Sequence, residues 1–247
     1  MTAYYDNVAQ QFKKIQTLPH VRHVEVYTYF QIMGDLTGKS VLDLGCGQGF
    51  YPRQIKQRGA AKVVGVDTSE KMIELARMEE TREPLGIEYI VHDVVELGEI
   101  GRFDLVVASY FLNCARTREQ LLKMCQSIYA NLKEGSRFVS INGNLEQLPE
   151  YYPKWEKYGF TKSIVGFLEE GKPITLTFTV PNEDQKISFD NYYLNKATYE
   201  WAFHQVGFQE VSWQPLRVSP QGIQEFGQEY WQDLLDYPSL IGIECLK

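Results

Sequence analysis

The sequence predicts an α/β fold in three layers, a mostly parallel seven-stranded sheet between helices, with an N-terminal helical cap and an inserted β-hairpin. Three observations carry this expectation. Short β-branched runs alternate with helical patterns from about Lys39 onward, aromatic residues crowd the first 35 positions, and one late segment switches to period two. Continuous apolar runs suit strands buried on both faces, and strands alternating with helices of this length build right-handed βαβ units.

Taken in order, the first 35 residues read as two aromatic-rich helices, the first with Val8, Phe12 and Ile15 at i, i+4 and i+7. Strands are expected at 41–44, 62–66, 87–91, 103–108 and 137–141. Ser69 can cap a helix carrying Met72, Ile73 and Ala76. Over 117–132, Leu121, Leu122, Cys125, Ile128, Tyr129 and Leu132 form one stripe, with Thr117 and Gln120 as a capping box and Gly135 beyond its end. The period-two stretch 173–180 reaches Pro181-Asn182-Glu183-Asp184 and returns over 186–190, a hairpin. A helix over 198–206 stops at Gly207, and 211–216 and 240–246 supply the last two strands.

Composition narrows the function. The 247 residues carry 25 basic and 32 acidic side chains, a net charge of −7, the wrong balance for gripping a phosphate backbone. Neither a basic stretch followed by an apolar run at the start nor an apolar run of about 18–20 residues is present, so a cytoplasmic protein without a membrane partner is expected. Cys46, Cys114, Cys125 and Cys245 lie far apart without a C-x-x-C pair, which argues against a zinc knuckle or a disulfide framework.

The densest signal is Val41-Leu42-Asp43-Leu44-Gly45-Cys46-Gly47-Gln48-Gly49-Phe50, a strand running into a glycine-rich turn that opens a helix. A dinucleotide fingerprint requires glycine at its sixth position, where this chain has Phe50. Asp43, two residues before the first glycine, would repel a pyrophosphate and welcome a cationic, amino-bearing ligand. Asp67 ends the second strand about 20 residues after the turn, where an acid accepts hydrogen bonds from ribose hydroxyls. Asp93, in His92-Asp93-Val94, ends the third. Three carboxylates at successive strand ends describe a nucleoside pocket without a phosphate site.

These residues resemble the class I S-adenosylmethionine-dependent methyltransferases. The resemblance implies the Rossmann-like fold of that class and S-adenosylmethionine as cofactor. It sets Gly45, Cys46 and Gly47 along the methionine part, Asp67 at the ribose, Met72 on the adenine face and Asp93 with Val94 at the adenine edge; Asp43, Thr68 and Ser109 are also expected among the cofactor-binding residues. The chain then divides into a cap (1–35), a cofactor-binding half (39–144), a substrate-side insert (145–195) and a C-terminal helix with strands (196–247), all one domain. The segments 18–28, 103–113 and 191–194, with Ser219-Pro220-Gln221-Gly222 and Ile243-Glu244-Cys245, resemble more closely the family around the toxoflavin-pathway N-methyltransferase, which implies methylation of a ring nitrogen in secondary metabolism. The chain departs from that pattern at Ile141-Asn142-Gly143-Asn144 and carries His20 and His23 in its cap.

In this fold the residues after the fourth strand face the methyl group, which puts Ser109, Tyr110 and Asn113 first. His23 is expected as a base or acceptor contact, with His20 behind it. Tyr5 is expected to close over the cofactor and Arg22 to pair with its carboxylate. Tyr152, Tyr192 and Trp213 are candidates for an aromatic wall. No metal is expected. The chain lacks the Asn-Pro-Pro-Tyr or Asp-Pro-Pro-Tyr cluster of amino-methylating DNA enzymes, so the expected partner is a small-molecule methyl acceptor rather than nucleic acid, handled by a monomer or homodimer. Nitrogen of a heteroaromatic or amine metabolite is the expected target. Oxygen or carboxyl methylation, and a cofactor-binding protein without transfer activity, are the alternatives.

Overall fold

The apolar runs that follow Lys39 become the strands of one sheet in the computed structural model, which describes residues 11–183 and 185–247. Strands β1 (Ser40–Leu44), β2 (Lys62–Asp67), β3 (Glu88–Val91), β4 (Phe103–Ser109) and β5 (Leu132–Gly143) pair in parallel. Between them run α2 (Phe50–Gln57), α3 (Glu70–Arg82) and α4 (Arg118–Ala130), and the helix before the sheet is α1 (Val26–Met33). Later come α5 (Lys196–Val206), β9 (Glu210–Gln214), α6 (Pro220–Phe226), α7 (Gln232–Asp236) and β10 (Leu240–Leu246). Among the described residues the sheet has seven strands in the order β3-β2-β1-β4-β5-β10-β9, with β10 antiparallel to both neighbours.

The layers follow from which residues each helix buries. One face of the sheet packs Tyr29, Met33, Ile55 and Ile73 from α1, α2 and α3, with Trp155 and Trp231. The other packs Leu121, Cys125 and Ile128 from α4 against Tyr199 and Phe203 from α5. Each such side chain contributes roughly 1.5–3 kcal/mol of transfer free energy, which fixes the helices over the sheet.

The cap differs in detail from two plain helices. Residues 11–15 are helical, and Val21–Glu25 form a π-helical turn that runs directly into α1. Tyr5 and Val8 lie outside the described residues.

The insert holds more than the expected hairpin. A 3₁₀ helix over Pro149–Tyr158 leads through Gly159, in the left-handed conformation, into β6 (Phe160–Ser163). This short strand pairs with β7 (Pro173–Thr179), which pairs with β8 (Lys186–Tyr192), giving three antiparallel strands. The fifth parallel strand also starts five residues before its apolar run, at Leu132 opposite Phe103. No described helix is long and apolar enough to cross a membrane.

Candidate active site

The strand order reverses between β2-β1 and β4-β5, and in open α/β sheets ligands bind at the carboxyl ends of the strands flanking such a reversal. The sequence delivers its glycine turn there from β1 and Ser109-Tyr110 from β4. Gly45, Gly47 and Gly49 all have positive φ, at 72°, 53° and 85°. A Cβ at Gly45 would stand 3.1 Å from the Phe111 ring, and one at Gly49 2.5 Å from the Tyr89 hydroxyl. At Gly47 nothing among the described residues lies within 4 Å of the added Cβ, so the middle of the turn presents bare backbone.

Neighbouring groups hold the turn in place. Gly45 and Cys46 N–H both donate to the Val66 carbonyl, at 2.8 and 3.0 Å. Gly47 N–H donates to Asp67 Oδ2 and Ser69 N–H to Asp67 Oδ1, each at 2.8 Å. Asp67 thereby ties the end of β2 to the loop after β1. Ser69 caps α3 by accepting from Met72 N–H, which seats Met72, buried, in the first turn. Thr68 is exposed at the rim. Asp93 is exposed and accepts from Val95 N–H at 2.9 Å, while Val94 turns inward and is buried.

Asp43 is buried in β1, and its Oδ2 has no hydrogen-bond partner among the described residues. Burial, and then the Asp67 charge, hold its carboxyl well above the usual carboxylate range. Burial likewise raises the Cys46 thiol, with Asp67 and Asp43 adding to it, so this sulfur is no ready thiolate.

At the end of β4, half-buried Tyr110 adopts φ 53°, a left-handed conformation that a bulky residue holds only where its surroundings enforce it. Its N–H donates to the Ile141 carbonyl at 2.9 Å. Its hydroxyl donates to Glu25 Oε2 at 2.5 Å, and the Tyr51 hydroxyl donates to Glu25 Oε1 at the same distance. Asn113, in the short turn Leu112–Cys114, accepts from Gly143 N–H at 3.4 Å and keeps a buried Nδ2 without a partner among the described residues.

The cap side chains expected at the site divide. His23 is buried with Nδ1 3.0 Å from Ser219 Oγ and Nε2 3.3 Å from Glu225, and its ring meets Phe226 and Trp231. It is engaged by α6, whereas Tyr110 is engaged by Glu25, so His23, Tyr110 and Asn113 each have different partners. His20 is buried against Trp155 and Phe160, with Nδ1 2.9 Å from the Tyr158 carbonyl. Arg22 is exposed on the π-helical turn.

The three aromatic candidates each have a separate partner. Tyr152 faces Lys162, Tyr192 lies under the Arg116 guanidinium, and Trp213 sits on edge strand β9 bonded to Glu200.

Glu25 was not among the expected site residues. It is 4% exposed, and burial raises its carboxyl to about 6 against the two phenol hydrogen bonds, which pull it down. One sequence signal points to it: between positions 7 and 34 it is the single acid, set between Val24 and Val26 in an otherwise apolar and aromatic stretch.

Residues 41–135 match the family described as a methyltransferase domain. A demethylmenaquinone methyltransferase of Lactococcus lactis is 33% identical over 186 residues, which span 74% of this chain and 70% of that protein. The chain belongs to the class I S-adenosylmethionine-dependent methyltransferases. A ubiquinone biosynthesis O-methyltransferase of Coxiella burnetii is 30% identical over 143 residues, 57% of this methyltransferase and 58% of the relative. The crystal structure of an S-adenosylmethionine-dependent methyltransferase from Mesorhizobium loti shares the fold with a TM-score of 0.65 at 18% identity, covering 94% of this chain and all of that one. The cofactor of this methyltransferase is S-adenosylmethionine. The site suits it: a buried acid with an orphaned oxygen answers a cationic ligand, and the bare Gly47 backbone leaves room beside it.

Proposed function

We propose that this methyltransferase is one domain that methylates a small metabolite, at nitrogen of a heteroaromatic or amine group. The observation that carries this reading is the roof formed by Glu25. Its carboxylate bridges Tyr51 on α2 and Tyr110 after β4, so the cap crosses the crevice between the glycine turn and the expected methyl position. A crevice roofed in this way suits a compact acceptor better than a threaded polymer, and the net charge of −7 points the same way.

In this reading the cofactor is held by Asp43, Gly45, Cys46, Gly47, Asp67, Thr68, Met72, Asp93, Val94 and Ser109, while Tyr110 and Asn113 face the acceptor. Bound there, S-adenosylmethionine supplies an electrophilic methyl group on a sulfonium sulfur. The protein's part is to align the acceptor and exclude water, and alignment of this kind is worth roughly 7–11 kcal/mol. Tyr110, fixed by its backbone bond to Ile141, and Asn113, fixed through Gly143, are pre-positioned for that task.

Oxygen methylation is the second reading, favoured by the likeness to ubiquinone biosynthesis O-methyltransferases. Incubation with methyl-labelled S-adenosylmethionine and a bacterial metabolite extract, followed by analysis of the labelled product, tests both. Label in an N-methyl product is expected. Label confined to methoxy products would replace nitrogen by oxygen, and label in no small molecule would defeat the proposal.

A further inference from the structure

Glu25 is a carboxylate that nothing in the binding of the cofactor explains. Three elements converge on it: the π-helical turn that carries it, α2 through Tyr51, and the end of β4 through Tyr110. The titratable groups facing it are the phenols of Tyr51, Tyr110 and Tyr29, and Tyr29 also feels the charge of Asp43. No lysine, arginine or histidine contacts it among the described residues. Among the described residues its charge is therefore sustained by two phenol donors, an arrangement with a high electrostatic cost if the group served only to hold the cap. π-helical turns are rare and concentrate at functional sites.

We infer, resting on the small-molecule reading above, that Tyr110 and Glu25 form a proton relay, and that the acceptor is a weak acid whose attacking atom carries the proton, a ring N–H or a phenolic O–H. The Tyr110 hydroxyl meets the acceptor, and Glu25 acts through it. As the acceptor's N–H or O–H bond breaks, its electron pair stays on the heteroatom and forms the bond to the methyl carbon. The carbon–sulfur pair remains on sulfur, leaving a neutral thioether. The acceptor's proton goes to the Tyr110 oxygen while the proton of Tyr110 passes to Glu25 Oε2. Tyr51 keeps its bond to Oε1 throughout and holds the carboxyl in line. Tyr110 itself is a poor phenolate, since burial and the Glu25 charge hold its hydroxyl well above the ordinary value, so the proton must pass through rather than rest there. Glu25, at about 6, is ionised at neutral pH and close enough to it to accept a proton. His23, taken up by Ser219 and Glu225, is not needed in this role.

The test uses the full chain and its E25Q, E25D and Y110F variants, with methyl-labelled S-adenosylmethionine and three probe acceptors. Phthalimide offers a ring N–H and no other basic nitrogen, 4-nitrophenol an O–H, and quinoline a lone pair with no proton to lose. Binding of S-adenosylhomocysteine confirms that each variant is folded and competent for cofactor. Transfer to phthalimide and 4-nitrophenol is expected to decline below pH 6 in the unaltered protein. It should drop by about 10²-fold or more in E25Q and Y110F with that acid limb gone, and return in part in E25D. Transfer to quinoline, which loses no proton, should fall far less than transfer to the two proton-bearing probes and should show no acid limb between pH 5 and 7 that depends on Glu25. A second readout needs no turnover: with S-adenosylhomocysteine bound, the pH midpoint of the phenolate absorption of bound 4-nitrophenol should differ between the unaltered protein and E25Q. Wild-type rates and acid limb in E25Q, identical midpoints in the two proteins, or methylation of quinoline alone would overturn the relay while leaving the small-molecule reading intact. Cofactor binding without label in any small molecule would overturn both.

Discussion

The Asp67 carboxylate accepts the N–H of Gly47 at 2.8 Å, joining the end of β2 to the middle of the glycine turn after β1. Its other oxygen takes Ser69 N–H at 2.8 Å, at the cap of α3. One side chain thus sets the turn and the helix start that flank the proposed ribose position. Asp67→Ala should weaken S-adenosylhomocysteine binding by roughly 1.5–3 kcal/mol, about 10- to 150-fold, through loss of charge-assisted hydrogen bonds. Calorimetric titration measures this, and an unchanged affinity would remove Asp67 from the site.

Asp43 should couple cofactor binding to proton release. Burial, then Asp67, raises its carboxyl well above the usual range, which favours the protonated form in the free protein, with Oδ2 orphaned among the described residues. An ammonium or sulfonium placed beside it favours the carboxylate, and the proton leaves. Affinity should therefore rise with pH until the carboxyl ionises in the free protein, then level off. Titrations in two buffers of different ionisation enthalpy should report the released proton, and Asp43→Asn should abolish both the slope and the buffer dependence.

His20 should make the junction of cap and insert sensitive to acid. Burial lowers its imidazole to about 4, against the stabilising bond to the Tyr158 carbonyl. A folded-state value below the unfolded one gives stability that is present above about 6.5 and lost as pH falls through about 4. The gap corresponds to about 3 kcal/mol. Denaturant unfolding at pH 7 and pH 4 should show a loss of this order, and His20→Asn, which keeps a donor for Tyr158, should flatten it.

Much of this molecule is legible in the chain because its strands are buried on both faces. Runs such as Val63-Val64-Gly65-Val66 carry a signal that tertiary context only reinforces. Where a strand leaves the interior the signal fades: Lys133-Glu134-Gly135-Ser136 belongs to β5 but reads as a turn, because that end of the strand is solvated. β6 escapes because four residues after a glycine are too short a run to stand out, and its pairing with β7 is a long-range fact. The three strand-end acids are legible because their order along the chain mirrors the sheet. Glu25 is not, since sequence alone does not distinguish a carboxylate clamped by two phenols from one in water. A search for groups titrating near neutral pH favours histidine, and so points two residues away to His23.

His23 itself should prove to be a docking residue. Ser219 N–H donates to its carbonyl at 2.8 Å, Ser219 Oγ lies 3.0 Å from its Nδ1, and that same oxygen accepts Gly222 N–H at 3.0 Å to start α6. A Cβ on Gly222 would lie 2.7 Å from His23 Cβ and 2.9 Å from Cγ, so α6 closes on the cap at this point. His23→Ala removes a buried ring and two polar contacts, which should cost about 2–3 kcal/mol of stability. Gly222→Ala should cost about 1–3 kcal/mol by forcing the two elements apart. Because truncating His23 relieves the Cγ contact, the double variant should lose less than the two single losses combined, a coupling that denaturant unfolding can resolve. The pH–rate profile is the decisive measurement. In His23→Ala the acid limb should keep its midpoint near 6, as expected if Glu25 carries it. A displaced midpoint would return the proton to the imidazole and leave Glu25 as a structural clamp.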